Sequence, residues 1–333
     1  MGKNRYIVIT TINAPTEAIL GFARRRDEYS LIVIGDVKTP EEWSLVGADF
    51  HGHASQASLG FSLPESLPDN HYSRKMIGYL VAIRAGAKSI IDTDDDNIPK
   101  PNFGFPDFEG QFEEVSSEEL FVNPYSLFTD LRIWPRGLPL GSVLSARPVI
   151  EGLSTANRSI GIWQGLADGD PDVDAVYRLT VGVPCVFSER APVLLRKGVV
   201  APFNSQNTVF SEDVFALMYL PTTVSFRFTD ILRSYVALPI MWGLGFYLGF
   251  TQATVFQERN HHDLMEDFRS ELPMYLDAEK CIDLVSKAVS SSHSLEENLV
   301  FAYEALAEEG IVGEKELRTL SLWLQDLKDL SLP

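Results

Sequence analysis

The sequence predicts an α/β fold, with a mostly parallel sheet flanked by helices and a helical lobe at the C-terminus. Three observations support this prediction. Apolar, β-branched segments alternate with segments of helical spacing in the first part of the chain. A run of carboxylates directly follows the third apolar segment. Beyond about residue 275 the chain is rich in Leu, Ala, Glu and Lys at helical spacing.

The composition is that of a globular protein. Of the 333 residues, 45% are hydrophobic and 22% are charged, which argues against disorder over the whole chain. The net charge of −18 argues against a general nucleic-acid binder, because such a protein presents a basic face to phosphates. The two cysteines, Cys185 and Cys281, are too few for a disulfide framework and indicate a reducing compartment.

The first two predicted strands flank a helix. Residues 6–11 form an apolar, β-branched run that is typical of a buried strand. Ala18, Ile19 and Phe22 follow at the spacing of one helix face. Residues 31–36 are apolar again, and this second strand ends in a carboxylate.

The third predicted strand leads into the acidic run. Residues 72–85 have helical spacing, and Gly86 is a typical helix stop. Residues 89–91 form the strand, from which the chain enters the acidic loop of residues 92–97. Because the carboxyl ends of parallel strands meet at one edge of a sheet, we expect Asp36 to lie beside this loop.

The rest of the chain has less regular patterns. Residues 98–130 are rich in Pro, Gly and Phe and are predicted to form an ordered loop region. A strand is expected at residues 183–187 and a helix at residues 212–219. We expect one α/β domain over residues 1–270 and a helical lobe over residues 271–333.

The acidic loop is a candidate metal site. Four carboxylates lie within five residues at a strand end: Asp92, Asp94, Asp95 and Asp96. Side chains of like charge repel one another, and a divalent cation among them removes this cost. Hard oxygen ligands suit Mg²⁺ or Mn²⁺, which can also bridge the phosphates of a nucleotide.

Other acidic motifs compete with this interpretation. An EF-hand loop beginning at Asp92 requires Gly where Asn97 stands and Glu where Phe103 stands, so it is excluded. A phosphatase-type Asp-x-Asp nucleophile usually has Thr or Val where Asp96 stands. That motif stays open as a minor alternative, as does a solvated acidic turn.

Six motifs relate the chain to a known family. They follow one another in this order: RKMIGYL (74–80), IDTDDDN (91–97), IWPRGLPL (133–140), QGLADGDPDVDA (164–175), APFNSQNT (201–208) and DILRSY (230–235). This series resembles the STELLO family of glycosyltransferase-like proteins. More distantly it is similar to the reversibly glycosylated polypeptides, the UDP-arabinopyranose mutases. The resemblance runs from about residue 5 to residue 262.

The resemblance implies a GT-A-like (Rossmann-like) fold, a nucleotide-sugar donor with UDP favoured, and Mn²⁺ or Mg²⁺ as cofactor. It divides residues 1–270 into a nucleotide-sugar half, about 1–130, and an acceptor half, about 131–270. The residues that it places as metal ligands are Asp94, Asp96 and His262. A histidine at that position is alternatively an ordinary surface or core residue.

The same resemblance assigns residues to the donor. Asp36 is expected to face the nucleoside, and Asp95 or Asp92 to assist Asp94 and Asp96 near the metal. The end of the first strand would line the site through Thr11 and Asn13. The pair Arg74 and Lys75 is expected to reach the donor phosphates, with a surface pair as the alternative.

Candidate catalytic residues lie downstream. Transfer with inversion requires a carboxylate that takes a proton from the acceptor hydroxyl, and Asp230 is the first choice. Arg233 would share a helix face with it, so a structural ion pair or helix cap is the alternative. Arg136 matches the arginine region of the mutase-like relatives, and it is otherwise a surface loop residue.

Polar residues in two further motifs are candidates for binding sugar hydroxyls. Asp172 and Asp174 would point the same way in an extended segment, although the sequence there also suits a turn. The amides of Asn204, Gln206 and Asn207 suit sugar hydroxyls, or alternatively satisfy backbone groups in a buried loop.

The leading functional hypothesis is transfer of a hexosyl or pentosyl group from a nucleotide sugar to a glycan or lipid-linked glycan, as in polysaccharide biosynthesis. The alternatives are a sugar-nucleotide mutase that uses Arg136 and a non-catalytic sugar-nucleotide-binding assembly factor. The apolar stretch of residues 236–250 is interrupted by Pro239 and glycines and is predicted to be core, so no spanning segment is expected. The expected location is cytoplasmic, and peripheral membrane contact is compatible with the absence of an expected spanning segment.

Overall fold

The computed structural model describes residues 4–258 and 263–331. The strands are β1 (Arg5–Thr11), β2 (Ser30–Gly35), β3 (Ala48–His51), β4 (Ser89–Thr93), β5 (Asn97–Pro99), β6 (Glu109–Gly110), β7 (Glu113–Ser116), β8 (Val149–Leu153), β9 (Arg158–Gly169), β10 (Val193–Leu195), β11 (Asn207–Ser211) and β12 (Phe246–Gln257). The α-helices are α1 (Glu17–Ala23), α2 (His53–Gln56), α3 (Lys75–Arg84), α4 (Ala175–Thr180), α5 (Thr229–Leu244), α6 (Leu264–Ala288), α7 (Leu295–Glu308) and α8 (Lys315–Ser331).

The strands form one sheet in the order β3-β2-β1-β4-β11-β9-β12-β10-β7-β8. The ladders between β3, β2, β1 and β4 are all parallel. This is the strand order of the first half of a Rossmann-like sheet, in which helices provide the crossovers. The arrangement confirms the predicted α/β, GT-A-like fold.

Alternation along β1 explains why helices cover both faces of the sheet. Ile7 and Ile9 pack in a core cluster with α1, whereas Val8 packs in the other cluster with α3. Because successive side chains of a strand point to opposite faces, a fully apolar strand needs a helical layer on each side. The uninterrupted apolar run in the sequence is the cause of this arrangement.

The second half of the sheet is mixed, but its direction brings further strand ends to the same edge. Strand β11 is antiparallel to both β4 and β9, so β9 runs in the direction of β4. Strand β12 pairs parallel to β9 over its whole length. The carboxyl ends of β1, β2, β4, β9 and β12 therefore lie on one edge of the sheet.

The C-terminal lobe consists of α6, α7 and α8, as predicted. Its buried side chains, such as Cys281, Tyr303 and Trp323, belong to the same core cluster as α3 and α5. The expected domain boundary at residue 271 lies inside α6. Among the described helices, none has the length and apolar character required to cross a bilayer.

Three local predictions differ from the structure. Residues 98–130 contain short strands in addition to loops, and these strands pair with β9, β10 and β12. The predicted strand at 183–187 is reduced to a single bridge between Cys185 and Gly169. The predicted helix at 212–219 is 3₁₀ in the structure, Glu212–Met218, with a kink at Val214.

Candidate functional site

A pocket of about 380 Å³ opens at the edge where the parallel strands end. Its walls contain the end of β1, the residue after β2, the acidic loop after β4 and the segment after β9. The start of α5 and the loop that carries Arg136 complete it. The predicted donor, metal and acceptor regions therefore open into the same pocket.

The acidic loop rests on buried cations. Asp92, which is fully buried, has its Oδ1 2.9 Å from Lys75 Nζ and its Oδ2 2.9 Å from Arg233 Nη1. Lys75 Nζ also lies 2.9 Å from Asp94 Oδ1 and donates to the Thr93 carbonyl. Since Lys75 and Arg233 lie behind the loop, their charge offsets the repulsion among its carboxylates.

Asp94 and Asp96 line the pocket. Desolvation, with Asp96 and Asp92 nearby, holds the pKa of Asp94 above its usual value, although Lys75 acts in the opposite direction. The side chain of Asp94 nevertheless remains 38% exposed. Gln257, at the end of β12, donates from Nε2 to Asp96 Oδ2 at 3.0 Å. The two carboxylates thus face the cavity at a place where added positive charge is favourable.

Asp95 turns away from this pair towards the end of β1. Thr11 donates from its hydroxyl, and Asn13 from Nδ2 at 3.0 Å, to the same oxygen of Asp95. The Thr16 hydroxyl, at the N-cap of α1, donates to the Asp95 carbonyl. Thr11, Asn13 and Asp95 therefore form one hydrogen-bonded group that joins two strand ends.

The expected nucleoside end lies around Asp36. Its carboxylate accepts from the backbone N–H of Val37 at 2.7 Å and of His71 at 3.1 Å. Burial lowers the pKa of His71 to about 4, although Asp36 opposes the shift, so this imidazole is neutral at pH 7. Asn70 has a positive φ of 51°. A strained backbone of this kind is common where a loop shapes a binding site.

Arg74 does not lie among the pocket-lining residues, in contrast to its expected role at the phosphates. Its guanidinium donates to Gln56 Oε1, from Nε at 2.9 Å, and to the Leu67 carbonyl. Its Nη1 is also 3.5 Å from Asp69 Oδ1. Arg74 thus supports the wall behind Asp36.

The described residues include one group of three side chains able to converge on a metal ion: Asp36, His53 and Asp69. His53 Nε2 lies 2.8 Å from Asp69 Oδ1, and Arg74 already supplies a positive charge beside Asp69. The carboxylate of Asp36 is occupied by backbone donors. The chemistry of this group therefore fits a cation less well than the acidic loop does. The expected third ligand His262 lies outside the described residues.

Arg136 is held by two carboxylates. Its Nε and Nη2 donate to the two oxygens of Asp172, both at 2.8 Å. Its Nη1 and Nη2 donate to the two oxygens of Asp230, both at 2.9 Å. The remaining N–H donates to the Arg227 carbonyl. All five donors of the guanidinium are therefore engaged.

Asp230 lies in the first turn of α5, where the helix dipole favours negative charge. Besides Arg136, its carboxylate accepts from Ser205 N at 3.1 Å and from Tyr72 Oη at 3.2 Å. Burial alone would raise the pKa of Asp230, but Arg136 and Arg233 outweigh burial and lower it to about 2. In this arrangement Asp230 is ionised and weakly basic.

Asp172 and Asp174, expected on one face, point in different directions. Asp172 holds Arg136 at the pocket, whereas Asp174 caps α4 by accepting from Tyr177 N at 2.7 Å and also accepts from Trp134 Nε1. Burial raises the pKa of Asp174 to about 6, against the effect of these two donors. Only Asp172 of the two lines the pocket.

The three candidate amide side chains, Asn204, Gln206 and Asn207, have different surroundings in the structure. Gln206 lines the pocket and accepts from Asp172 N at 3.2 Å. Asn204 accepts from Gln206 N at 2.9 Å, and Asn207 donates to the Leu166 carbonyl and to Thr254. Asn204 and Asn207 satisfy groups inside the protein, as the alternative interpretation of this motif expected.

Several pocket residues carried no signal in the sequence. The sequence predicts Tyr72 only as the start of a helix and makes no prediction for His71. Phe226, Arg178 and Gln257 belong to no motif that suggests a ligand. They reach the pocket because strand order and the direction of α5 bring them there. Phe226 differs from the buried Phe228 because it is 51% exposed, and the sequence alone does not show this.

Sequence comparisons relate the chain to a family. The family model of the STELLO glycosyltransferases matches residues 227–333. The probable glycosyltransferase STELLO1 of Arabidopsis thaliana is 32% identical over 351 residues, which cover 97% of this chain and 44% of that protein. STELLO2 of the same plant is 31% identical over 347 residues, with coverage of 97% and 44%. The chain thus spans less than half the length of these relatives.

Solved structures give weaker similarity. A mycobacterial protein has a TM-score of 0.41 at 13% identity, covering 83% of this chain and 75% of that one. Glucosyl-3-phosphoglycerate synthase from Mycobacterium tuberculosis, solved with Mn²⁺ and UDP-glucose, has a TM-score of 0.39 at 14% identity, covering 86% and 79%. The fold assignment rests on the strand order of the sheet. The sequence matches confirm that the chain is a relative of the STELLO glycosyltransferases.

Proposed function

We propose that this protein is a metal-dependent glycosyltransferase that moves a hexosyl or pentosyl group from a nucleotide sugar, favoured to be a UDP-sugar, to a glycan or lipid-linked glycan. The observation that carries the proposal is the position of the acidic loop. Asp94 and Asp96 line the same pocket as Asp36 and the end of β1, at the carboxyl edge of a parallel sheet. Nucleotides bind at this edge in open α/β sheets.

Mn²⁺ or Mg²⁺ fits the acidic loop. Asp94 and Asp96 offer hard oxygen ligands, and desolvation, with Asp96 and Asp92 nearby, raises the pKa of Asp94. When bound, the metal supplies positive charge that stabilises the departing nucleoside diphosphate. Lys75 holds Asp94 from behind and keeps its carboxylate directed at the pocket.

The donor is expected to bind along the nucleotide side of the pocket. Asp36 is expected to face the nucleoside, with Thr11, Asn13 and Asp95 shaping the adjoining wall. Arg74 and Lys75 act in this proposal by supporting the wall and the metal-binding loop. Both side chains are buried and hydrogen-bonded within the protein.

The chemistry breaks the bond between the anomeric carbon and the diphosphate oxygen and forms a bond to an acceptor hydroxyl. The acceptor oxygen loses its proton, and the nucleoside diphosphate leaves. Asp230 remains the candidate base. Since both its oxygens are bound by Arg136, it takes this proton only after one of these hydrogen bonds is exchanged for the acceptor hydroxyl.

Arg136 favours transfer over the mutase alternative. An arginine that reacts with or binds a sugar needs an N–H group directed at the ligand, but all five here donate to protein acceptors. Two buried carboxylates also hold the guanidinium in its charged form. Arg136 is therefore suited to organise Asp172 and Asp230 at the acceptor side.

Metal-dependent nucleotide binding tests the proposal. We expect UDP to raise the melting temperature in Mn²⁺ far more than in EDTA, because a ligand that binds only the folded state stabilises it. The double variant Asp94→Ala/Asp96→Ala should lose this metal-dependent shift. Asp283→Asn, which changes an exposed carboxylate on α6, serves as the matched control and should keep it.

Turnover separates a transferase from a non-catalytic binder. Purified protein with Mn²⁺ should release UDP from at least one member of a UDP-sugar panel, and an acceptor panel should increase that release. Binding of UDP without any release of UDP or transfer would support the assembly-factor alternative. If no nucleoside diphosphate binds with or without metal, the proposed function is wrong.

A further inference from the structure

Phe226 is an apolar ring in an otherwise polar part of the pocket. It lines the cavity and is 51% exposed, whereas Phe228, two residues later, is buried in the core. A half-exposed ring forgoes part of the free energy that burial of a Phe side chain provides. A ligand that covers the ring recovers this free energy, so Phe226 is a candidate contact for a ligand with an apolar face.

The orientation of Phe226 is defined by its neighbours. Its ring centroid lies 4.7 Å from that of Tyr72 at an interplanar angle of 73°, and 5.1 Å from that of His71 at 68°. Both contacts are edge-to-face, a favourable geometry for aromatic pairs. Tyr72 Oη also lies 3.2 Å from the Phe226 carbonyl oxygen. These contacts therefore fix the orientation of the Phe226 ring before a ligand binds.

Phe226 lies on the Asp230 side of the pocket. Tyr72 Oη lies 3.2 Å from the Phe226 carbonyl oxygen and 3.2 Å from Asp230 Oδ1, so both acceptors are within reach of its one proton. Arg227, the next residue, accepts from Arg136 through its carbonyl. His71, whose ring contacts Phe226, donates from its backbone N–H to Asp36. Phe226 is thus connected through Tyr72 and Arg227 to Asp230 and Arg136, on the proposed acceptor side of the pocket.

The charges on this side do not favour an anionic ligand. Arg136 is bound by Asp172 and Asp230, and Arg178 is paired with Asp170. Arg227 Nη2 lies 2.8 Å from Glu271 Oε1, so its guanidinium is turned to the C-terminal lobe. A phosphate or carboxylate group would meet carboxylates whose countercharges are already used. Uncharged hydroxyls can donate to the same carboxylates at little cost.

We propose that Phe226 is the stacking platform for an uncharged sugar ring of the acceptor, with Asp172 and Asp230 beside its hydroxyls. This inference rests on the proposed function and names the acceptor class for the same site. The apolar face of a pyranose carries C–H groups that pack on an aromatic ring, while its edge carries the hydroxyls. An exposed ring beside two carboxylates matches both features.

The test measures saccharide and nucleotide binding separately. Isothermal titration calorimetry in Mn²⁺ and UDP would compare neutral trisaccharides of glucose, xylose and N-acetylglucosamine with glucose 6-phosphate. We expect a neutral trisaccharide to bind the wild type, and Phe226→Ala to weaken that binding about tenfold. Phe226→Trp should retain it. UDP affinity should stay within about twofold in both variants, because the nucleoside is expected on the Asp36 side.

Phe301→Ala is the matched control, since Phe301 is a 38% exposed ring on α7 outside the pocket. It should leave both affinities unchanged. The inference is overturned if Phe226→Ala weakens UDP and spares the saccharide, if glucose 6-phosphate binds as tightly as the neutral sugars, or if no neutral saccharide binds. In each of these cases UDP binding by the wild type still supports the proposed function. Failure of every nucleoside diphosphate to bind contradicts the proposed function itself.

Discussion

At the scale of single residues, Arg136 organises the acceptor side of the pocket. One guanidinium joins a loop, the segment after β9 and the first turn of α5 through Asp172 and Asp230. Its bidentate geometry on both sides suits arginine, whose planar donors match carboxylates, and lysine cannot reproduce it. The site thus depends on a buried ionic group whose members are far apart in sequence.

Removal of the cation should cost more than removal of one carboxylate. We expect Arg136→Met to lower the free energy of unfolding by about 3–5 kcal/mol, because two buried carboxylates lose their partner. Asp230→Asn should cost only about 1–3 kcal/mol, since Arg136 retains Asp172. Urea denaturation at pH 7 measures both. Equal losses for the two variants would mean that Arg136 does not hold the carboxylates together.

The pH dependence of the same variants has a defined sign. In the wild type the pKa of Asp230 is depressed to about 2, so its stabilising contribution is present above the unfolded pKa and is lost only as pH falls towards 2. Without Arg136, Arg233 and the Ser205 N–H are left to oppose burial, so we expect the folded pKa of this carboxyl to rise above the unfolded value. Arg136→Met should therefore regain stability relative to wild type between pH 7 and pH 5, measured by urea denaturation at each pH. A constant difference would contradict this account.

At the scale of elements, the packing of α3 on the sheet positions Lys75 beneath the acidic loop. This helix can approach β1 and β2 closely because Gly78 has no side chain. A Cβ at Gly78 would lie 2.4 Å from Val8 Cγ1 and 3.0 Å from Ile34 Cγ1. The glycine is therefore required by close packing, although it lowers helix propensity.

Gly78→Ala should destabilise the protein despite the better helix propensity of alanine. We expect a loss of about 1–3 kcal/mol, because the extra methyl group overpacks the interface of α3 with the sheet. Gly243→Ala is the matched control on α5, where the nearest atoms to an added Cβ are 3.8 Å away. That change should be neutral or stabilising by up to about 1 kcal/mol. Thermal denaturation measures the stability of both variants. A Gly78→Ala variant more stable than the wild type would contradict the overpacking of α3 against the sheet.

At the scale of the whole molecule, the C-terminal lobe is joined to the sheet domain by buried carboxylates. Glu316 accepts from the backbone N–H groups of Thr222 and Thr223 and from the Tyr219 hydroxyl. Asp326 accepts from Ser62 N and Leu63 N. Glu271 accepts from Ala175 N and pairs with Arg227. Through Glu271 the lobe reaches the residue beside the proposed stacking platform.

Loss of one such carboxylate should weaken the whole fold. We expect Glu316→Gln to lower the free energy of unfolding by about 2–3 kcal/mol, because an amide N–H₂ would face the N–H donors that the carboxylate now satisfies. Unfolding should remain a single transition, since lobe and sheet domain share one core cluster. Denaturant titration followed by circular dichroism measures both, with the exposed Glu314→Gln as the control. A separate early transition of the lobe would contradict this picture.

The sequence by itself determined the elements whose patterns are local. Continuous apolar runs predicted β1, β2 and β4, because a strand covered on both faces needs no polar side. The position of the acidic loop after the third strand predicted its place at the carboxyl edge, and the motif series predicted the family. These inferences needed only periodicity, chain direction and resemblance.

The tertiary structure decided which of the candidate polar residues line the pocket. Asp172 and Asp174 are two residues apart, yet one holds Arg136 and the other caps α4. Arg233 and Lys75 resemble ligand-binding cations in the sequence, but the fold places them behind the loop as partners of Asp92. The physical reason is that a buried charge is stable only beside its countercharge. Which countercharge lies within reach is set by strand order and helix packing, and no local pattern of residues encodes these.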